Sequence, residues 1–293
     1  MDEFIIGIDI GGTTYSSSLF TGKLELVSKS NKELTSALLS SESLLDSLSK
    51  QIGSLIKIDN NILGIGISCP GPLDSKNGVI LETPNLKIMQ NLHLKKELED
   101  RLELPVYIDN DANLFALGEW FLDSKNNSEI FGGVTLGTGL GFGIIINGKI
   151  FSGAHGLAAE YAISPLESGD WESKVSISAI KKIAEKYLKN KNIDPKDLYK
   201  LAASGDEGAK RTWLEFGENL GMALSHFVNL IDPHKISIGG GLSHAMRFFK
   251  ESMLSSLERN SPAYKNYHTE IFESKHKELS SQLGAAMIVK EYQ

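Results

Sequence analysis

The chain contains a single cysteine, Cys69, among its 293 residues. One cysteine excludes an internal disulfide and cannot furnish a thiolate cage for zinc. Lysines and arginines are scattered among acidic residues, and the formal net charge is −7. A nucleic-acid surface needs a clustered basic patch, which this sequence lacks. No apolar run reaches membrane-spanning length, and the opening Met1-Asp-Glu-Phe-Ile-Ile-Gly has no basic stretch of the kind that begins a signal peptide. No Walker lysine motif occurs either. These absences leave a globular composition, 41% hydrophobic and 23% charged, expected in the cytoplasm without membrane or nucleic-acid partners.

What is present is a repeat. Asp9-Ile-Gly-Gly-Thr-Thr-Tyr-Ser-Ser-Ser-Leu-Phe-Thr-Gly-Lys-Leu24 aligns without a gap on Thr135-Leu-Gly-Thr-Gly-Leu-Gly-Phe-Gly-Ile-Ile-Ile-Asn-Gly-Lys-Ile150. Gly11 then falls on Gly137, and Thr21-Gly22-Lys23-Leu24 on Asn147-Gly148-Lys149-Ile150. Each segment follows an apolar strand. Tight turns of glycine and threonine expose backbone N–H groups and hydroxyls in anion-binding concavities. Two such turns suggest a phosphate clamp between two similar domains. Length and duplication together predict domains at 1–115, completed by a C-terminal helix over 278–293, and at 116–277.

The pattern predicts strands at 3–9, 14–20 and 23–28, then a helix from Ser41 to Ile56 with Leu44, Leu45, Leu48, Ile52, Leu55 and Ile56 at helical spacing. A strand from Ile62 to Ser68 ends at Cys69-Pro-Gly-Pro72. A helix over 91–103 leads to the strand Val106-Tyr-Ile-Asp109, and a further helix starts at Asn110. The second half reads as strands near 129–136, 140–146 and 149–151, an irregular stretch over 152–175, and helices at 176–189 and 205–231. A strand from Lys235 to Ile238, a glycine turn, another helix and a last helix near 278–291 complete an α/β plan.

Several residues admit two readings. Asp9 beside Gly11-Gly12 is either a turn acid or a carboxylate that organises Mg²⁺ through water. Asp109-Asn110-Asp111-Ala112-Asn113 must supply helix caps, yet it also ends a strand where α/β domains bind ligands. A carboxylate there can take the proton of a hydroxyl attacking a phosphoryl group. Gly239-Gly240-Gly241 after the strand is a close-packing turn or a place where backbone approaches a nucleotide. Glu160 and Glu172 read from composition as solvated acids, and His155 as a turn or core residue.

With these residues in order, the chain resembles the ROK family of sugar kinases and repressors, members of the actin-like ATPase superfamily. The likeness runs from Ile8-Asp-Ile-Gly-Gly-Thr13 to Leu283-Gly-Ala-Ala286. Between them stand Gly66-Ile-Ser-Cys-Pro-Gly-Pro72, Thr83-Pro-Asn-Leu86, Asn110-Asp-Ala-Asn113, Leu117-Gly-Glu119, Gly137-Thr-Gly139, Gly153-Ala-His-Gly156, Asp232-Pro233 and Gly239-Gly-Gly-Leu-Ser243. The resemblance implies two RNase H-like domains with an interdomain cleft. It implies Asp111 as the base, with Asn85, Asn110, Glu160 and Glu172 beside it on the sugar side. Gly11, Gly12, Thr13 and Thr14 match the first phosphate loop, and Gly137, Thr138 and Gly139 the second. Gly239, Gly240 and Gly241 match the adenosine side, with Asp9 as the Mg²⁺ organiser.

The departures are specific. The histidine of the family's E-x-G-H element is Ile163 here, and Glu167-Ser-Gly-Asp170 replaces its cysteine cluster. No structural zinc is therefore expected, and the stretch around Glu160 and Glu172 is left to packing, with Trp171 as its anchor. The expected activity is transfer of phosphate from Mg·ATP to a hexose, at the 6-hydroxyl, in a homodimer. The alternatives are an N-acylhexosamine kinase and a sugar-responsive regulator. Asp9 lies so near the first residue that no DNA-binding domain is expected ahead of it.

Overall fold

The computed structural model describes residues 2–291 apart from Pro84, Asn85, 124–127, Lys191 and Lys277. The chain divides into two compact α/β units, Met1–Asn126 with Gly148–Leu157 and His276–Gln293, and Asn127–Asn147 with Ala158–Lys275.

In the first unit the strands lie in the order Leu26–Lys29, Thr14–Thr21, Phe4–Ile10, Ile62–Cys69, Val106–Asn110, with the short Glu33–Leu34 also on Thr14–Thr21. The first three are antiparallel neighbours and the last three run parallel. Helix Ser41–Ile56 forms where expected. Ser40 accepts from the Ser43 N–H in a capping box, and Leu44, Leu45, Leu48, Ile52 and Leu55 are buried in the core. The helix expected over 91–103 is Leu94–Leu102, because Asn91 (φ +57°) and Glu103 (φ +55°) take left-handed backbone on either side of it. Helix Asp111–Leu122 is buried from Ala112 through Glu119.

The other face of the parallel strands is closed by the C-terminal helix, Glu278–Glu291. Its backbone comes so close that a methyl on Gly66 would sit 1.7 Å from the Ala285 carbonyl oxygen, and one on Gly7 would sit 2.0 Å from that of Gln282. Gly118 meets the Ser280 carbonyl in the same way, at 1.9 Å. Gln282 locks the register further: its Nε2 donates to Ser16 Oγ (2.8 Å) and its Oε1 accepts from Ser18 Oγ (2.7 Å). These buried polar groups satisfy one another.

The second unit repeats the plan. Hairpin Ile130–Leu136 and Leu140–Ile146 is followed by the parallel strands Lys235–Gly239 and Glu270–Glu273. Its core joins this sheet to helices Ile177–Leu188, Glu207–Ile231 and Met246–Asn260 through Trp213, Phe216, Phe227 and Phe249. Among its described residues this unit adds helices Pro195–Ala203 and Pro262–Tyr267 and strand Glu270–Glu273 to the pattern read from the sequence. The strand has four residues and buries only Ile271, too few for a periodic signal. Both helices carried a readable start, an Asp194 or Ser261 N-cap followed by proline.

Gly66→Ala should lower stability by at least about 1–3 kcal/mol, because a backbone carbonyl cannot move aside as a side-chain tip can. Urea denaturation checks this; an unchanged midpoint would mean the helix is not seated on the strand.

Candidate active site

The parallel register sets a row of functional groups at one edge of the first sheet. Asp9 pairs with Ser68, Ser68 with Asp109, and Cys69 with Asn110. Residues far apart in sequence thus become neighbours at the carboxyl ends of adjacent strands, where α/β domains bind ligands. Ser68 Oγ donates to Asp9 Oδ1 at 2.9 Å. Asp9 keeps some exposed surface, yet burial of its carboxyl raises its pKa to about 7. The Ser68 bond opposes the rise, and the charge of Asp111 adds to it.

Asn110 caps the helix that follows. Its Oδ1 accepts from Ala112 N at 2.9 Å, and Asp111 Oδ1 accepts from the same N–H at 2.8 Å. Asp111 stands in the first turn of this helix, where its carboxylate meets the positive end of the helix dipole. Asp109 accepts from Asn113 Nδ2 at 2.9 Å, and burial raises its pKa. So the Asp-Asn segment both caps a helix and brings Asp111 close to Asp9. Ser68 was not singled out from the sequence; its place at the end of a strand just before Cys69-Pro70 was the available signal. Asn85, expected on the sugar side, lies outside the described residues.

Gly11, Gly12 and Thr13 form the turn between the first two strands. Gly11 N donates to Thr14 O at 2.9 Å, and Thr13 O accepts from Thr35 N at 2.9 Å. Apart from Thr14 O at 3.2 Å, nothing stands within 4 Å of a Cβ placed on Gly11. In the second unit, Gly137, Thr138 and Gly139 make the matching three-residue turn, closed by Gly137 N donating to Gly139 O at 3.0 Å. Nothing stands within 4 Å of a Cβ placed on Gly137 or Gly241. Internal packing does not demand glycine there, so the missing side chains leave room for a ligand to approach the backbone. Gly240 is different: it has φ +86° and its Cβ position lies 2.3 Å from Leu136 O. After Gly239, which ends the strand, a 3₁₀ turn at Ser243–Ala245 intervenes before the helix.

Glu160 and Glu172 are close enough that the charge of Glu172 helps raise the Glu160 pKa, burial being the larger cause. Glu160 opens a 3₁₀ turn, Glu160–Ile163, and Ile163 is 61% exposed.

The sequence model of the ROK family matches residues 5–292. This chain belongs to the ROK family. A glucokinase from Halalkalibacterium halodurans is 30% identical over 291 residues, covering 90% of this chain and 86% of that protein. A xylose repressor from Caldicellulosiruptor bescii is 31% identical over 272 residues, covering 85% and 68%. The crystal structure of a ROK family glucokinase from Streptomyces griseus in complex with glucose and AMPPNP has a TM-score of 0.84 at 25% identity. It covers 98% of this chain and 99% of its own.

The zinc that the ROK resemblance brings to mind does not fit these residues. A bridge from Pro165 to Asp170 and a Leu166 N–H to Gly169 O bond of 2.8 Å close the stretch instead. Ser173 N donates to Asp170 Oδ1 at 2.7 Å. Buried Trp171 stands edge-on to His226, ring centroids 5.3 Å apart. Among the described residues no three of His, Cys, Asp and Glu are grouped to share a metal. Mg²⁺ is another matter. It keeps several waters and takes one or two carboxylates plus substrate phosphates, which suits Asp9 beside Asp111.

Two outcomes follow. Protein purified without added metal should carry well under one zinc per chain by elemental analysis; a stoichiometric, chelator-resistant zinc that supports thermal stability would contradict this. A carboxyl with a raised folded-state pKa keeps its proton when the unfolded chain has lost it. Asp9 therefore favours folding at low pH, and that advantage fades as pH climbs from near 3.8 to about 7. Asp9→Asn should flatten this part of the metal-free stability profile, measured by urea denaturation between these limits.

Proposed function

We propose that this chain is a kinase that transfers the γ-phosphoryl group of ATP to a sugar hydroxyl, the 6-hydroxyl of a glucose-like hexose. The observation that carries the reading is that Asp9, at the edge of a sheet whose first turn is Gly11-Gly12-Thr13, lies close enough to Asp111 for the two charges to repel. Phosphoryl transfer asks little covalent chemistry of a protein; it asks for a base, oriented donors and charge compensation.

In the proposed reaction Asp111 accepts the proton of the sugar hydroxyl as its oxygen attacks the γ-phosphorus. A new P–O bond forms, the bond to the β-phosphate oxygen breaks, and ADP leaves with that electron pair. The Ala112 N–H on Asp111 Oδ1 fixes the carboxylate for this task. Asn110 orients the sugar. The two Gly/Thr turns receive phosphates, and Gly241 lets the adenosine side meet bare backbone. Mg²⁺ bound with ATP would neutralise phosphate charge, and Asp9 is the residue that would hold it through water.

A second reading is supported by the similarity to a repressor at 31% identity: a sugar-responsive regulator that binds sugar without turning it over. An N-acylhexosamine kinase would use the same parts as the first. Purified protein with ATP, Mg²⁺ and a panel of glucose, mannose and their N-acetylamino forms separates the three. ADP release on a sugar supports a kinase and names its class; sugar binding without turnover supports the regulator. In the kinase, Asp111→Asn should cut turnover about 10²–10⁴-fold while sugar affinity stays near that of the native protein. Retention of most of the rate would remove Asp111 from its role.

A further inference from the structure

The resemblance assigns Glu172 to the sugar, but one oxygen of its carboxylate is held by the backbone of the second glycine turn. Its Oε2 accepts the Leu140 N–H at 3.1 Å. The same oxygen lies 2.3 Å from where a Cβ on Gly139 would be. A single carboxylate oxygen therefore terminates the second glycine turn and fills the space beside Gly139. Leu140 is buried at 4% exposure, so water is poorly placed to replace that acceptor.

The backbone beneath Glu172 is firmly set. Its N–H donates to Ala162 O at 3.0 Å, and the N–H groups of Lys174 and Val175 donate to Trp171 O at 3.0 and 2.9 Å. Trp171 is buried against His226 and Tyr161, and the Tyr161 hydroxyl donates to Ala223 O at 3.2 Å. A few residues on, Ile177 N donates to Gly137 O at 2.9 Å. The turn is thus tied at both ends to one segment, by a side chain at Leu140 and by backbone at Gly137. Between these ties, the N–H groups of Thr138 and Gly139 meet no protein acceptor among the described residues. They are the donors left for an anion.

We propose that Glu172 is a positioning residue for the phosphoryl donor: it braces the 137–139 turn so that the Thr138 and Gly139 N–H groups are aimed before the nucleotide arrives. This rests on the kinase reading above. Donors fixed in advance need no reorganisation when charge develops on the transferring group. The stretch that has lost the family's cysteines thereby keeps a function, transmitted through Trp171 and the Glu172 backbone to the phosphate turn.

The test compares native protein, Glu172→Ala and Glu172→Gln by calorimetry with Mg·AMP-PNP and with glucose, and by hydrogen exchange at the Leu140 amide. Glu172→Ala should weaken Mg·AMP-PNP by about ten- to a hundredfold and speed Leu140 exchange, with glucose affinity little changed. Glu172→Gln should regain most of the nucleotide affinity, since its amide oxygen can accept the same N–H. If Glu172→Ala does not fold, Glu172→Asp serves instead, because a side chain one methylene shorter withdraws the carboxylate from the Leu140 N–H and should reproduce the loss. Nucleotide affinity that is unchanged or tighter, or a loss confined to glucose, overturns the proposal and leaves the kinase reading standing. Native protein that binds no Mg·AMP-PNP overturns both.

Discussion

The first unit depends on a contact that no side chain could make: carbonyls of the C-terminal helix resting directly on the glycines of two strands. Gly7 and Gly66 pair with each other across the sheet, and over them sit the carbonyls of Gln282 and Ala285. A methyl at either glycine would overlap backbone atoms, so the helix can seat only where that bare patch exists. The same helix meets Gly118 through Ser280 O, while its own Gly284 admits Leu114 O at 2.0 Å from a would-be Cβ. It therefore fixes both the strand that carries Asp9 and the helix that begins with Asp111. The separation of the two acids is set by helix backbone packing, which is stiff on the scale that proton transfer requires.

That rigidity has an electrostatic consequence. Asp9 is desolvated, and Asp111 disfavours its ionisation further. The Ser68 hydrogen bond and the charge of Lys32 oppose the resulting rise in its pKa. A site that stores unfavourable negative charge favours a cation, and perturbed carboxylates are common where proteins do chemistry. The second unit solves a different problem. On our proposal its turn presents N–H groups to an anion, and one oxygen of the nearby Glu172 carboxylate holds the Leu140 N–H.

Much of this was legible in the sequence. The duplicated hairpin, the helix Ser41–Ile56 and the long helix Glu207–Ile231 follow from hydrophobic period and caps that act within a few residues. The Gly-Thr turns could be named because the need for backbone donors without side chains is a local need. Strand Glu270–Glu273 was hidden, since one buried residue in four carries no period. Ser68 was hidden for another reason: a serine gains meaning only from the strand beside it.

By itself the sequence determined the family, the α/β alternation and the residue types that phosphoryl transfer calls for, because these are written in local order and spacing. Only the tertiary structure decided which of those residues meet. Parallel register brought Asp9, Ser68 and Asp109 into one row, across gaps of 59 and 41 positions. Packing around Trp171 carried Glu172 onto Leu140, 32 positions away. Hydrogen bonds and carboxylate repulsion act over a few ångströms of space and are blind to separation along the chain. The assembly of a site from distant segments is therefore a property of the folded molecule alone.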